Sequence, residues 1–144
     1  MPSDSNEKNP YKFLCVNGEC KEDKTSFLNK KEADACIEYA KKLSKTYNDI
    51  VIISPYTSQC RILLSHQTGI PIHTIDSFQG KEADCVLVSM VRTGNDIGFW
   101  SDPRRLTVAL TRAKQKLVIV GDVKSWNKSP LLDLKKDGKE RNLL

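Results

Sequence analysis

The sequence predicts an α/β fold of three layers, with helices on a mainly parallel β-sheet. Three largely apolar runs are rich in β-branched residues, as is typical of strands buried on both faces: Ile50–Ile53, Cys85–Val91 and Leu117–Val120. Segments with helical apolar spacing alternate with these runs, and this alternation is typical of a parallel sheet. A chain of 144 residues suits one domain with a single core.

The N-terminal part predicts a strand followed by a capped helix. Residues 1–10 are polar and are predicted to be disordered. Tyr11–Val16 is predicted to be a short strand, and a turn signal follows it. Asn29 and Glu32 have the spacing of a capping box, and apolar residues then recur at helical spacing up to Leu43.

The middle of the chain predicts a further helix and strand. Pro55, directly after the run Ile50–Ile53, can begin a helix that Gly69 ends. Ile70–Ile75 is predicted to be a strand, and Pro71 makes its start irregular or edge-like. The loop from residue 76 to residue 80 then follows the carboxyl end of this strand, where open parallel sheets bind ligands.

A basic helix is predicted from Asp102 to Lys114. Asp102 is a suitable N-cap, and Pro103 suits the first helical position. Arg105 and Arg112 lie about two helical turns apart and are therefore expected on nearly the same side, opposite an apolar stripe. Guanidinium is a planar, permanently charged donor that fits phosphate, although a basic helix face can also be merely solvated.

The end of the chain predicts a short helix and a tail. Residues 129–134 are predicted to form the last helix, and residues 135–144 a flexible polar tail, so that the domain spans residues 11–134. Five cysteines have irregular spacings and only two histidines accompany them, so we expect free thiols, no metal site and an intracellular protein. No window of 18 apolar residues predicts a membrane span. The net charge of +5 permits a polyanionic partner.

Three segments resemble motifs IV, V and VI of superfamily 1 helicases, specifically the up-frameshift and senataxin-like group. They are Ser54–Gln59 (SPYTSQ), Thr74–Asp84 (TIDSFQGKEAD) and Asp102–Lys114 (DPRRLTVALTRAK). The resemblance covers roughly residues 26–132. Thr107 stands where the family usually has asparagine, and Trp100 replaces a common leucine.

The resemblance implies a RecA-like domain, the second of two that close over one ATP. Arg112 would then be the arginine finger, and Gln79, Gly80 and Glu82 would approach the nucleotide. The residues that would lie on the side of single-stranded RNA or DNA are Ser54, Pro55, Tyr56, Gln59 and Thr74. Mg²⁺ would be held mainly by the N-terminal RecA-like domain, and a nuclear or cytoplasmic location is expected.

The sequence leaves alternatives open. These 144 residues contain neither a phosphate loop nor a Walker B acid pair, so the chain by itself is expected not to hydrolyse ATP. A non-catalytic module derived from a helicase, binding nucleic acid or protein, is the main alternative. A third is a small NTPase that uses Gly18–Thr25, but Asp23 replaces the required glycine there and would repel phosphate. No residue pattern in the sequence indicates recognition of the 2′-hydroxyl that distinguishes RNA from DNA, so either nucleic acid is consistent with it.

Overall fold

The computed structural model describes residues 11–144, so the prediction for residues 1–10 lies outside the described residues. The strands are β1 (Tyr11–Cys15), β2 (Lys21–Asp23), β3 (Ser26–Leu28), β4 (Ile50–Ser54), β5 (Ile72–Thr74), β6 (Ala83–Ser89) and β7 (Ala113–Gly121). The α-helices are α1 (Lys30–Leu43), α2 (Thr57–Leu64), α3 (Pro103–Leu110) and α4 (Leu131–Glu140). Gly98–Ser101 and Val123–Ser125 form short 3-10 helices.

Five strands form one sheet in the order β1-β7-β6-β4-β5, and every neighbouring pair is parallel. The predicted parallel α/β architecture is therefore confirmed. The three strands at the centre are the three apolar runs of the sequence. Because all strands are parallel, the sheet has one edge of strand carboxyl ends and one edge of strand amino ends.

Helices cover both faces of the sheet. Alternate residues of β4 show the division, because Val51 and Ile53 belong to one core cluster and Ile50 and Ile52 to the other. The first cluster includes apolar residues of α3 and α4, and the second includes those of α1 and α2. Burial of both faces explains why the middle of each central strand is apolar, whereas polar residues such as Lys114 to Lys116 of β7 stand near the strand ends.

The structure corrects three predicted boundaries. The basic helix ends at Leu110 rather than Lys114, because Ala113 pairs with Ala83 and begins β7. The last helix runs to Glu140, so the predicted tail of residues 135–144 contains most of it. The segment after β1, for which the sequence indicated only a turn, forms the antiparallel hairpin of β2 and β3. None of the helices in residues 11–144 has the length and hydropathy to cross a membrane.

Candidate functional site

The predicted site residues lie at two opposite edges of the sheet. Ser54 and Thr74 end β4 and β5 side by side, at the carboxyl edge. Residues 80–82 directly precede β6, and Arg112 directly precedes β7, so both lie at the amino edge. The seven residues of β6 separate the two edges by about 20 Å. The structure therefore brings the predicted nucleotide residues together and holds the predicted nucleic-acid residues apart from them.

Arg112 lies beyond the end of α3, and its guanidinium remains partly exposed. Its Nε donates a hydrogen bond to the carbonyl of Val108 at 3.0 Å, one terminal nitrogen donates to the carbonyl of Lys81 at 3.4 Å, and the other donates to Thr111 Oγ1 at 3.5 Å. Its backbone carbonyl accepts from Ala83 N–H at 3.1 Å. Among residues 11–144 no carboxylate forms an ion pair with Arg112, so its charge is free for an anion outside the described chain.

The loop before β6 forms the other side of this amino edge. Gln79, Gly80 and Glu82 are all exposed. Gly80 has a φ of +81° and open space around the position of a Cβ, so its backbone conformation rather than crowding requires glycine. We call this group, residues 79–82 with Arg112, the amino-edge rim. It joins a free guanidinium to an exposed backbone turn and an exposed carboxylate.

Two of the predicted nucleic-acid residues have side chains that lie in the interior. Ser54 and Gln59 are fully buried. Ser54 Oγ donates to the carbonyl of Ser89 at 2.9 Å. Gln59 accepts from Asn29 N–H at 2.8 Å and donates to Ser89 Oγ at 3.0 Å. Their side chains have no surface to offer to a nucleic acid, so they fix the turn between β4 and α2 instead.

Tyr56 is also largely buried, at 9% exposure, against a residue that the sequence did not indicate. The guanidinium of Arg92 donates to Tyr56 Oη at 3.3 Å and stacks on the Phe27 ring at 3.9 Å. Arg92 also pairs with Asp96 at 2.5 Å. Burial raises the pKa of Tyr56. Arg92 follows an apolar strand in the sequence and has no motif around it, so only the tertiary structure shows that it braces Tyr56.

Thr74 and Pro55 remain on the accessible side of the carboxyl edge. Both are half-buried, and Thr74 Oγ1 accepts a hydrogen bond from Ser77 N–H at 3.1 Å. His73 of β5 is half-buried and stacks on Phe78 with ring centroids 5.5 Å apart. The carboxyl edge thus offers Pro55 and Thr74, but not Ser54 or Gln59, to a ligand.

A buried polar network lies behind the carboxyl edge. Asn29 caps α1 as predicted, since its Oδ1 accepts from Glu32 N–H at 3.1 Å. The second half of the predicted capping box is wrong, because Gln59 and not Glu32 accepts from Asn29 N–H. The Glu32 carboxylate is fully buried and accepts from Ser89 Oγ and, at 2.8 Å, from Val91 N–H. Burial raises the pKa of Glu32 to about 8.

Comparison with known proteins identifies relatives of this domain. The AAA domain family matches residues 1–124. An ATP-dependent helicase of Methanocaldococcus jannaschii is 41% identical over 119 residues, which cover 78% of this chain and 18% of that protein. Regulator of nonsense transcripts 1 of Dictyostelium discoideum is 38% identical over 142 residues, which cover 86% of this chain and 11% of that protein. Helicase SEN1 of Saccharomyces cerevisiae is 35% identical in an alignment of 158 positions, which covers 94% of this chain and 7% of that protein.

The chain spans less than a fifth of the length of each of these relatives. Each relative is similar to the chain over most of the chain's own length, including the segments that carry the amino-edge rim. The similarity therefore concerns a domain of those proteins and not their complete architecture.

Proposed function

This chain belongs to the AAA domain family, in the up-frameshift and senataxin-like group of superfamily 1 helicases, and on that premise we propose its role. It is the second motor domain of an ATP-dependent RNA or DNA helicase. It supplies Arg112 and the amino-edge rim to an ATP site that an N-terminal RecA-like domain of the same protein completes. Its carboxyl edge faces the single strand.

The observation that supports this proposal most is the guanidinium of Arg112 beside residues 80–82, which no carboxylate of residues 11–144 pairs with. Its Nε and one terminal nitrogen are held by backbone carbonyls of Val108 and Lys81, so the group is oriented without being neutralised. The transition state of phosphoryl transfer spreads negative charge over its equatorial oxygens, and an oriented guanidinium stabilises that charge. The fork geometry matters here, because lysine would keep the charge but lose the paired donors.

The other rim residues suit a nucleotide that is shared between two domains. Gly80 exposes its backbone at the rim, and Gln79 and Glu82 expose side chains that can hydrogen-bond to ribose or to water near the phosphates. Mg²⁺, held mainly by the N-terminal domain, would neutralise charge on the phosphates. The intracellular location, nuclear or cytoplasmic, belongs to this same proposal.

The proposal is tested with the complete helicase that contains this domain. Arg112→Ala and Arg112→Lys are expected to lower kcat for ATP hydrolysis by about 10³–10⁵-fold and to change KM far less. Lys114→Ala is the matched control, because Lys114 lies on the same edge, is half-exposed and pairs with Asp84 at 3.7 Å. That control removes one positive charge from the edge without touching the guanidinium, and its kcat is expected to stay within a few-fold of the unmodified enzyme.

Unchanged turnover in both Arg112 variants would refute the arginine-finger role. Single-strand binding that responds to salt but not to ATP, together with no ATP hydrolysis by the complete protein, would favour the non-catalytic binding module instead.

A further inference from the structure

A pocket of about 160 Å³ lies between α3 and the segment that links β5 to β6. Its apolar walls are Ile75, Phe99 and Val108, and its polar lining comes from Gln79, Asp76 and two arginines of α3. The pocket has room for about five waters, at about 30 Å³ each, which is the scale of one aromatic ring system. Gln79 belongs to the amino-edge rim and the carbonyl of Val108 holds Arg112, whereas the other residues of the pocket are not part of the site described above.

Phe99 forms a fixed aromatic wall of this pocket. Its ring meets the Trp100 ring edge-on, with centroids 5.2 Å apart. Trp100 is fully buried, and its indole N–H donates to the carbonyl of Met90 at 2.9 Å. The backbone N–H of Phe99 donates to Tyr56 Oη at 3.4 Å. These contacts hold the ring in place, so a stacking partner would not have to order it first.

Two arginines stand at the mouth of the pocket. The Arg105 guanidinium lies over the Phe99 ring, with Cζ at 4.7 Å from the centroid. No ion pair engages Arg105 within residues 11–144. The Arg104 side chain is 92% exposed and only loosely paired, with Asp102 at 3.5 Å. The mouth therefore carries positive charge that can take a phosphate.

The pocket interior selects against the phosphate itself. The carboxylate of Asp76 lines it and would repel an anion, while it can accept a hydrogen bond from an amino group. The amide of Gln79 can both donate and accept. A neutral, flat ring with amino and carbonyl groups fits these walls, with its phosphate outside on the arginines. A nucleobase within a single strand has this chemistry.

One side of the pocket reaches the carboxyl edge, where the proposed function places the strand, and the other side reaches Gln79 of the amino-edge rim. Ile75 and Asp76 directly follow Thr74, the last residue of β5 at the carboxyl edge. We propose that this pocket binds one unstacked nucleobase of the single strand against Phe99, while Arg104 and Arg105 hold the adjoining phosphates. This assignment rests on the proposed function. It adds a subsite that would fix which nucleotide of the strand lies at the pocket.

The test measures binding of this 144-residue chain to a single-stranded oligonucleotide that carries 2-aminopurine at successive positions. The variants are Phe99→Leu, Arg105→Gln and Arg104→Gln. The matched control is Arg141→Gln, because Arg141 is also a partly exposed arginine but lies directly after α4, beside Asp137 and Tyr11 at the other end of the sheet. Thermal unfolding of each variant verifies that it folds.

We expect the fluorescence of 2-aminopurine to change at one position of the bound strand. Phe99→Leu should abolish that change and weaken binding about 5- to 100-fold, because stacking is lost. Each arginine variant should reduce the slope of log affinity against log salt by about 0.7, the value for one phosphate contact on a single strand. Arg141→Gln should leave both readouts unchanged.

Three outcomes would overturn the assignment. If the oligonucleotide binds equally to the Phe99 and Arg105 variants, the strand does not use the pocket, and the ATPase test of Arg112 still decides the proposed function. If the folded chain binds no single strand, the pocket is overturned, since this chain contains all of it. If Phe99→Leu weakens association with the N-terminal domain but leaves strand binding unchanged, the pocket is a protein contact.

Discussion

The replacement Glu32→Gln is expected to change the free energy of unfolding little at low pH and to raise it at high pH. Glu32 is fully buried, and among the described residues Oε1 has no hydrogen-bond partner, while Oε2 accepts from Ser89 and Val91. Burial raises its pKa from 4.5 to about 8, even though the two hydrogen bonds favour the ionised form. Asp122 adds a smaller effect in the same upward direction.

The sign follows from proton binding in the two states. Between pH 4.5 and about 8 the folded protein holds a proton on Glu32 that the unfolded chain has released. The free energy of unfolding therefore falls as pH rises through this range, and the loss is complete above the folded pKa. One pKa unit corresponds to about 1.4 kcal/mol, so the loss is on the order of 5 kcal/mol at most.

Glutamine has the same shape and does not titrate. Its Oε1 can accept from Ser89 and Val91, and its amide nitrogen would take the place of the unpartnered oxygen. Protonated glutamate has a similar unpartnered group, so the two proteins should differ by only about 1 kcal/mol at pH 5. At pH 8.5 the glutamine variant should be the more stable by several kcal/mol.

The assay is urea denaturation of both proteins at pH 5 and pH 8.5. Other titrating groups are common to both proteins, so they cancel in the difference between the free energies of unfolding. Glu38→Gln is the matched control, because Glu38 is an exposed glutamate on the same helix, and this surface replacement should change the free energy of unfolding by no more than about 0.5 kcal/mol. If the difference between Glu32→Gln and the unmodified chain is the same at both pH values, Glu32 is ionised in the folded state and the reasoning is wrong.

Two further substitutions test the packing behind the site. Asn29→Ala should lower the free energy of unfolding by about 2–4 kcal/mol, because it removes the α1 cap and leaves the carbonyls of Gly18 and Val91 without its buried amide. Denaturation measures this, and a loss no greater than that of the exposed cap variant Asp102→Ala would contradict it. Gly138→Ala should destabilise by about 1–3 kcal/mol, although alanine favours helix, because its Cβ would meet the Phe13 ring, with Cζ at 3.0 Å. Combining it with Phe13→Leu should recover part of the loss, and an equally unstable double variant would argue against the clash.

The sequence could predict the sheet because its central strands are buried on both faces. Such strands need continuous apolar runs, and these runs can be recognised directly in the sequence. The short hairpin of β2 and β3 left no comparable signal, since Lys21–Asp23 is entirely charged. The end of α3 could not be predicted from the local sequence either. Ala113 fits the apolar stripe of a helix equally well, and only its pairing with β6 makes it the start of a strand.

The candidate site was predictable in part, and the limit has a physical cause. A motif shows which residues recur together, but not which of them are exposed. Ser54 and Gln59 occur in the same segment as Pro55, yet they point into the network of Asn29 and Ser89. A polar side chain can serve a fold by satisfying buried hydrogen bonds as well as by meeting a ligand, and sequence spacing does not distinguish the two uses.

The two edges of the sheet are linked by two connected segments rather than by one helix. The segment after β5 runs from Thr74 at the carboxyl edge to Glu82 at the amino edge, and α3 runs between the same two edges toward Arg112. Both line the pocket, one with Gln79 and the other with Arg105, and they meet at the rim, where Arg112 donates to the carbonyl of Lys81. On the proposed function, closure over ATP would act on Arg112 and reach the carboxyl edge through these two segments, so that the domain would shift its grip on the strand by rotating as one body.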